Sequence, residues 1–129
     1  MLVKTFSAAV SGIDAVPVTI EVDVSRGVRY MLVGLPDAAV KESQQRIESA
    51  LRSAGLHWPG RQVVINMAPA DIRKEGSAYD LPLAVGIMVA SEMVKGSRLD
   101  GMLLTGELSL DGALRPVRGV LPMALRARE

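Results

Sequence analysis

The chain has 129 residues, of which 49% are hydrophobic and 22% charged, a composition typical of a single globular domain and not of a disordered segment. Its formal net charge of +1 gives no indication of nucleic-acid binding, although a positive face could exist if the acidic residues collect elsewhere. The absence of cysteine excludes a disulfide scaffold, a thiolate metal site and a cysteine nucleophile.

The first predicted elements are strands. Residues 2–10 predict a strand with mixed patterning, and residues 16–24 predict a clearer one, because apolar residues alternate with other residues there. A short turn at residues 25–27 leads into a third strand at residues 28–33. Since this linker is too short for a crossover, the second and third strands are expected to form an antiparallel hairpin.

A helix is predicted to begin in the segment GLPD, residues 34–37. Proline is tolerated in a first helical turn, and Asp37 places a negative charge at the positive end of the helix dipole. Gly55 stands where a C-terminal cap belongs. The buried side of the helix is marked by an apolar stripe of Val40, Ile47, Ala50, Leu51 and Ala54. Two acid–base pairs are expected on its solvent side, Glu42 with Arg46 and Glu48 with Arg52.

The middle of the chain predicts a buried strand, a polar loop and a buried helix. Residues 61–67 form the strand, and its centre, residues 63–65, is expected to be buried on both faces. Residues 68–76 form a polar connection. Residues 81–93 are apolar on every side and exceed the usual length of a strand, so they predict a helix with Asp80 as its N-cap.

Gly86 interrupts this apolar helix at a position where alanine would favour the helical state by about 1 kcal/mol. A glycine at such a position predicts that a neighbouring helix or strand approaches closely. Replacement of Gly86 by alanine is therefore expected to lower the melting temperature.

The last part of the chain predicts a fifth strand at residues 102–108 and a hairpin turn at Asp111 and Gly112. A further helix is predicted from Val117 onward. Because the sequence stops inside this helical pattern without a capping signal, residues 1–129 are expected to be a single domain at the N-terminal end of a longer protein. The order of elements predicts an α+β fold, a two-layer α/β sandwich in which helices pack on one face of a mixed sheet.

No membrane contact is expected. The longest apolar run, residues 81–90, is far shorter than the ~20 residues that a membrane-spanning helix requires. The N-terminal residues also lack the basic and then apolar layout of a signal peptide. The sequence therefore predicts a cytoplasmic protein.

The sequence offers few groups for catalysis or metal binding. It contains no G-x-x-x-x-G-K-[ST] pattern, so these residues are not expected to hydrolyse ATP by the usual route. His57 is the only histidine, whereas a metal site usually requires two or more histidine, cysteine or clustered carboxylate ligands. Asp71, Glu75 and Asp80 form a candidate carboxylate group, but a helix cap and a loop role explain Asp80 and Asp71 better. No catalytic, metal or cofactor residue is predicted.

The segment of residues 66–82, which joins the buried strand to the buried helix, is the most informative stretch. It carries Arg73, Lys74 and Ser77 on a polar loop. A hydroxyl beside a lysine near a helix N-terminus can act as a Ser–Lys nucleophile pair. The alternative is a solvated polar loop with two basic side chains, which is the commoner use of such a segment.

Three stretches of the chain together match a known pattern. The first is LVGLPDAAVKES at residues 32–43, and the second is NMAPAD at residues 66–71 with Lys74, Gly76 and DLP at residues 80–82. The third is TGELSLDG at residues 105–112 with RPV at residues 115–117. Together they resemble the N-terminal domain of magnesium-chelatase-like ATPases of the ComM/YifB type, over nearly the whole chain.

The resemblance implies a ribosomal protein S5 domain 2-like fold. It also implies a following AAA+ module with Walker motifs that binds ATP and Mg²⁺, and a homo-hexameric ring. Proteins of the ComM type are associated with DNA branch migration during natural transformation. The chain is therefore expected to be a non-catalytic N-terminal domain whose partners are its own AAA+ module, further copies of itself and DNA.

The same fold and the stretch at residues 105–117 also resemble the Lon protease domain and the C-terminal domain of RadA. In Lon-like domains the catalytic serine and lysine each follow a glycine by two positions, and the matching residues here are Ala78 and Leu121. Both are aliphatic, and Ser77 lies one position early. Peptidase activity is therefore not expected. An inactive Lon-like peptidase domain is one alternative function.

Three basic residues are candidate phosphate contacts under the DNA-remodelling interpretation, namely Arg73, Lys74 and Arg118. Solubility is the alternative explanation for each. A third hypothesis is a stand-alone S5-like nucleic-acid-binding domain, which predicts RNA binding with a steep salt dependence.

Overall fold

The computed structural model describes residues 1–128. Its strands are β1 (Leu2–Ser11), β2 (Asp14–Ser25), β3 (Tyr30–Val33), β4 (Gln62–Ala68), β5 (Glu107–Leu108) and β6 (Leu114–Arg115). Its helices are α1 (Ala38–Lys41), α2 (Ser43–Ser53), α3 (Asp80–Ala90) and α4 (Val120–Ala127), with a short 3₁₀ helix at Leu99–Gly101.

The main sheet has the strand order β1-β2-β4-β3. β2 is antiparallel to both β1 and β4, whereas β3 runs parallel to β4 at the edge. The predicted hairpin of the second and third strands is therefore wrong, because β4 lies between them. A linker of residues 26–29 spans two strand spacings, about 10 Å, so a short connection does not require direct pairing.

The predicted mixed sheet and two-layer sandwich are confirmed. Helices α2 and α3 cover one face of the sheet, and the core lies between these helices and the sheet. Its fully buried members alternate along the central strands: Val18, Ile20, Val22 and Val24 on β2, and Val63, Ile65 and Met67 on β4. Val64 is only half-buried, so β4 is not buried on both faces as predicted.

Helix α4 lies on the other side of the β1–β2 hairpin. Ala8 and Ala15 form a second, small cluster with Met123 of α4. In the β1–β2 register Ala8 lies opposite Pro17 and Ala15 opposite Val10, so these side chains point away from the main core. The helices are therefore not all on one face of the sheet.

The helix predicted to begin near residue 34 is present as α1 and α2, which are separated at Glu42. Asp37 is the N-cap of α1, and its Oδ1 accepts a hydrogen bond of 2.8 Å from the backbone N–H of Val40. Gly55 follows the end of α2 with a φ of 80°, which confirms its predicted capping role. Glu48 and Arg52 approach to 3.9 Å on the solvent side. Arg46, however, turns away from Glu42 to a different partner.

Two predicted elements are shorter than expected. Helix α3 ends at Ala90 instead of residue 93, and Glu92 beyond it has a φ of 61°. The fifth strand contains Glu107–Leu108 alone, because the preceding residues meet β1 through one hydrogen bond, from the N–H of Leu104 to the carbonyl of Phe6 (2.7 Å). The predicted turn at residues 111–112 is confirmed, since β5 and β6 form an antiparallel pair around it. Within residues 1–128, no helix is long and apolar enough to cross a membrane.

The close approach predicted at Gly86 is confirmed. A Cβ added to Gly86 would lie 2.7 Å from Cγ2 of Val22 on β2 and 3.6 Å from Cγ2 of Thr5 on β1. We expect Gly86→Ala to lower the free energy of unfolding by about 1 kcal/mol, since overpacking outweighs the gain in helix propensity. Thermal denaturation measures the loss. In a Val22→Ala background the clash is relieved, and a loss of the same size there would contradict the explanation.

Candidate functional site

The three sequence stretches that carry the family resemblance lie next to one another in the structure. They meet at the central loop, residues 69–79. This loop runs beside α1 on one side and the β5–β6 hairpin on the other. An open cleft of about 580 Å³ lies next to it, between the loop, the end of β1 and the start of α4. The charged residues that line this cleft are Asp37, Glu75 and Arg118.

Asp37 ties the central loop to the first helix. Its Oδ1 caps α1, and its Oδ2 accepts a hydrogen bond of 3.0 Å from the backbone N–H of Gly76. The backbones are joined as well, because the N–H of Asp37 donates to the carbonyl of Lys74 (2.9 Å) and the N–H of Lys74 donates to that of Leu35 (3.0 Å). One aspartate thus fixes the start of α1 and the cleft side of the loop together.

Lys74 is fully buried, and its ammonium donates to the carbonyl of Pro69. The N–H of Ile72 donates to the same carbonyl (3.4 Å), so the loop closes around the lysine side chain. Burial lowers the pKa of Lys74, and the charge of Asp71 partly opposes this shift. The amine of this candidate phosphate contact therefore points inward, and reaching a phosphate would require the hydrogen bond to Pro69 to break.

Asp80 anchors the other end of the loop. It is fully buried, and its carboxylate binds the guanidinium of Arg46 through both oxygens, at 2.6 Å to Nε and 3.0 Å to Nη2. Its Oδ2 also accepts the backbone N–H of Leu108 (3.0 Å). The hydrogen bond with Asp80 raises the pKa of Arg46. The predicted N-cap role of Asp80 is wrong, because Tyr79 occupies the cap position and Asp80 joins α2, α3 and β5 instead.

Ser77 and Lys74 do not form the Ser–Lys pair considered from the sequence. The hydroxyl of Ser77 donates to Oε1 of Glu107, while the amine of Lys74 is directed to Pro69. Glu107 also lies 3.8 Å from Nε of Arg115. The two Lon-like catalytic positions hold Ala78, which lines the cleft, and Leu121, which is 70% exposed on α4. Neither side chain can act as a nucleophile or a base.

Arg73 and Arg118 are the candidate phosphate contacts that face solvent. Arg118 lines the cleft, and Arg73 lines a neighbouring hollow that shares Glu75 and Tyr79 with it. Nε of Arg73 lies 3.5 Å from Oε1 of Glu75, in a pair exposed on both sides. Burial, with smaller contributions from Asp37 and Glu75, raises the pKa of Tyr79 to about 12, so its hydroxyl is neutral at physiological pH. The two exposed guanidinium groups thus lie in neighbouring hollows, both of which Glu75 lines.

The candidate carboxylate group of the sequence does not converge. Asp80 is buried against Arg46, whereas Asp71 and Glu75 are exposed on the loop. His57 is also exposed, in the connection between α2 and β4. In the part of the chain that the structure describes, no three histidine, aspartate or glutamate side chains are grouped so as to hold a metal ion.

The part of the chain that matches a known family contains the central loop and all of the cleft residues except Ala8 and Val10. Residues 20–129 match the family described as "Subunit ChlI of Mg-chelatase". The chain belongs to the ChlI family of magnesium-chelatase proteins. All three stretches that pointed to this family from the sequence lie inside the matched residues.

Several curated proteins are similar to this chain along almost its whole length. YifB of Escherichia coli, an uncharacterized protein, is 44% identical over 120 residues, which is 92% of this chain and 24% of YifB. The competence protein ComM of Haemophilus influenzae is 44% identical over 129 residues, 99% of this chain and 25% of ComM. An uncharacterized protein of Mycobacterium tuberculosis is 45% identical over 126 residues, 97% of this chain and 25% of that protein. The chain thus spans about a quarter of the length of these relatives.

Proposed function

We propose that this chain is the non-catalytic N-terminal domain of a magnesium-chelatase-like AAA+ ATPase that remodels DNA. The module that binds ATP and Mg²⁺ belongs to another part of the same polypeptide, and six copies form a ring in the cytoplasm. The relatives support a domain within a longer protein, since each is about four times as long as the matched region. The name of ComM, a competence protein, supports a role with DNA.

The observation that carries the non-catalytic assignment is that the polar groups of the central loop and its neighbours have structural partners. Asp37, Lys74 and Asp80 are all engaged in holding the central loop in place. Ala78 and Leu121 stand at the positions where a Lon-like domain has its serine and lysine. A cleft that is rigidly framed and lacks an activated nucleophile is suited to binding.

Arg73 and Arg118 supply the charge for binding DNA. Both side chains are exposed, and in the ion pair of Arg73 with Glu75 the two side chains are 69% and 70% exposed. An exposed pair of this kind contributes at most about 1 kcal/mol, so a phosphate can replace Glu75 as the partner of Arg73 at little cost. Lys74 would act indirectly, by keeping the loop that presents Arg73 in its present conformation.

Arg73→Ala and Arg118→Ala test this proposal in the full-length protein. Each is expected to reduce the dependence of log K on log[salt] by about 1, because a guanidinium bound to a phosphate releases about one counterion. The weakening should be uniform across DNA sequences, since phosphate contacts carry no sequence information. Fluorescence anisotropy with a four-way junction at several salt concentrations measures the slope.

Arg26→Ala is the matched control. Arg26 is exposed after the far end of β2, roughly 30 Å from the cleft, because a strand rises about 3.3 Å per residue. This variant is expected to keep the original slope. DNA affinity and slope that are unchanged in both cleft variants would contradict a DNA contact at this site. ATP hydrolysis in the absence of DNA should be retained in all three.

A further inference from the structure

Strand β3 lies at the edge of the main sheet, and within residues 1–128 its only neighbouring strand in that sheet is β4. The N–H of Val63 donates to the carbonyl of Arg29, which fixes the direction of the backbone groups in this parallel pair. The backbone N–H and C=O groups of alternate β3 residues therefore point toward β4. Those of Tyr30 and Leu32 point the other way, toward the open edge of the sheet. These groups form an open template for another strand.

Apolar side chains follow the same edge on the face that α2 and α3 do not cover. Met31 and Val33 are each 44% exposed, although both belong to β3, and Leu35 just beyond is 52% exposed. Their alternation places Met31 and Val33 beside the edge on one face, while Tyr30 and Leu32 pack against the core. A row of exposed apolar side chains beside unpaired backbone groups is a typical site of strand addition.

Leu35 is unusual in its backbone as well as in its exposure. Its φ is 57°, in the left-handed region that favours glycine or asparagine over a branched apolar residue. Packing inside the domain does not explain the leucine, because half of its side chain faces solvent. A contact with a second molecule would explain why an apolar side chain occupies this position.

The exposed positive charges beside β3 indicate which kind of partner this edge can bind. Arg26, Arg29 and Arg61 are exposed around the N-terminal end of β3, and none forms an ion pair with any residue between 1 and 128. Arg29 shares the face of Met31 and Val33, because it lies two residues before Met31 along the extended chain. A partner strand that continues past Met31 thus meets an uncompensated guanidinium group.

We propose that the β3 edge is a docking site for an extended peptide segment that alternates apolar residues and carries acidic residues at one end. The segment adds as a further strand, with hydrogen bonds to Tyr30 and Leu32, apolar contacts to Met31, Val33 and Leu35, and its acidic end against Arg29. Two copies of this chain paired through β3 would bring no acidic residues to this edge, so the arginines would stay uncompensated.

A panel of fluorescein-labelled heptapeptides tests the charge selection. Each peptide alternates valine and threonine and has two terminal aspartates at one end or the other, and the matched peptides carry lysine in place of aspartate. We expect the full-length protein to bind an acidic peptide at least about tenfold more tightly than its lysine counterpart. Equal binding of the two sets, or no binding at about 1 mM peptide, overturns the proposal.

Arg29→Glu is expected to reverse this preference, so that the lysine peptides bind more tightly than the acidic ones. Only the backbone carbonyl of Arg29 has a contact in the sheet, so the substitution should not disturb folding. Arg98→Glu is the matched control, since Arg98 is exposed beside the 3₁₀ helix, and it should leave the preference as it was. A shift of the same size in Arg98→Glu would reduce the effect to net charge and overturn the assigned site.

Leu35→Asn separates docking from stability. Asparagine adopts the left-handed conformation readily, so the melting temperature should be unchanged or raised. Acidic-peptide binding should nevertheless weaken about fivefold, because an apolar contact is lost. Unchanged binding, or a change in the protein's oligomeric state without any peptide effect, would show that Leu35 serves another surface and would overturn the proposal.

Discussion

Asp80→Asn is expected to lower the free energy of unfolding by about 3 kcal/mol, the lower end of the cost of breaking a buried ion pair. The substitution keeps the size of the side chain and an acceptor for the N–H of Leu108, and removes the charge that binds Arg46. The side chain of Asp80 is 1% exposed and that of Arg46 is 21% exposed, so solvent compensates the loss only in part. Thermal denaturation should show a decrease of roughly 10 °C.

Glu48→Gln is the matched control for this prediction, because it makes the same chemical change in an exposed pair. Glu48 and Arg52 are 3.9 Å apart and largely solvated, so the loss should be below about 0.5 kcal/mol. If Asp80→Asn costs no more than Glu48→Gln, the contact between Asp80 and Arg46 does not hold α2, α3 and β5 together.

Gly34→Ala is expected to cost about 3–5 kcal/mol, the sum of an unfavourable backbone conformation and a steric clash. Gly34 has a φ of 109°, and a Cβ there would lie 2.1 Å from the carbonyl oxygen of Met67. The clashing atom belongs to the backbone of β4, so a side-chain rotation cannot relieve it. Denaturant unfolding of the variant measures the loss.

Gly55→Ala isolates the backbone contribution. Gly55 has a φ of 80°, and no atom lies within 4 Å of the position of an added Cβ. This variant should therefore lose only about 1 kcal/mol, the cost of a left-handed alanine. Equal losses in the two variants would mean that contact with β4 contributes nothing at Gly34.

The periodicity of the sequence was sufficient to predict the elements with strong local signals. The charge of Asp37 at a helix start and Gly55 as a helix end depend on groups within a few residues of each other. The prediction at Gly86 succeeded for a related reason, since a glycine that costs helix stability implies a neighbour that needs the space.

The errors have a common physical cause, which is that pairing between distant segments leaves little trace in local pattern. β4 lies between β2 and β3 because it forms hydrogen bonds with both of them. The short linker after β2 allows β3 to pair either with β2 or with β4, so the local sequence does not decide between the two. Asp80 looked like a helix cap because its partner, Arg46, lies 34 residues earlier. Residues 102–106 have the composition of a strand, but Leu104 alone makes a hydrogen bond with β1.

The sequence predicted which segment carries the candidate site, but not how the side chains of that segment are arranged. Sequence reasoning directed attention to the central loop, but it could not show that Lys74 is buried while Arg73 beside it is exposed. It also gave no role to Glu107, which binds the hydroxyl of Ser77 from 30 residues away. Glu107 belongs to the stretch at residues 105–112 that carries the family resemblance, so the sequence marked this residue. It did not show which side chain Glu107 contacts.

The hydrogen bonds of Asp37 and Asp80 have a consequence for how proteins of this shape are recognised. Asp37 and Asp80, which hold one loop between two helices and a hairpin, belong to the sequence stretches that resemble the family. The presence of these residues therefore indicates the fold. It does not indicate whether the cleft hydrolyses peptides, binds nucleic acid or does neither. A change in activity would be recorded instead at Ala78 and Arg118, which line the cleft, and at the exposed Leu121 of α4, because none of these side chains takes part in the hydrogen bonds of Asp37 and Asp80.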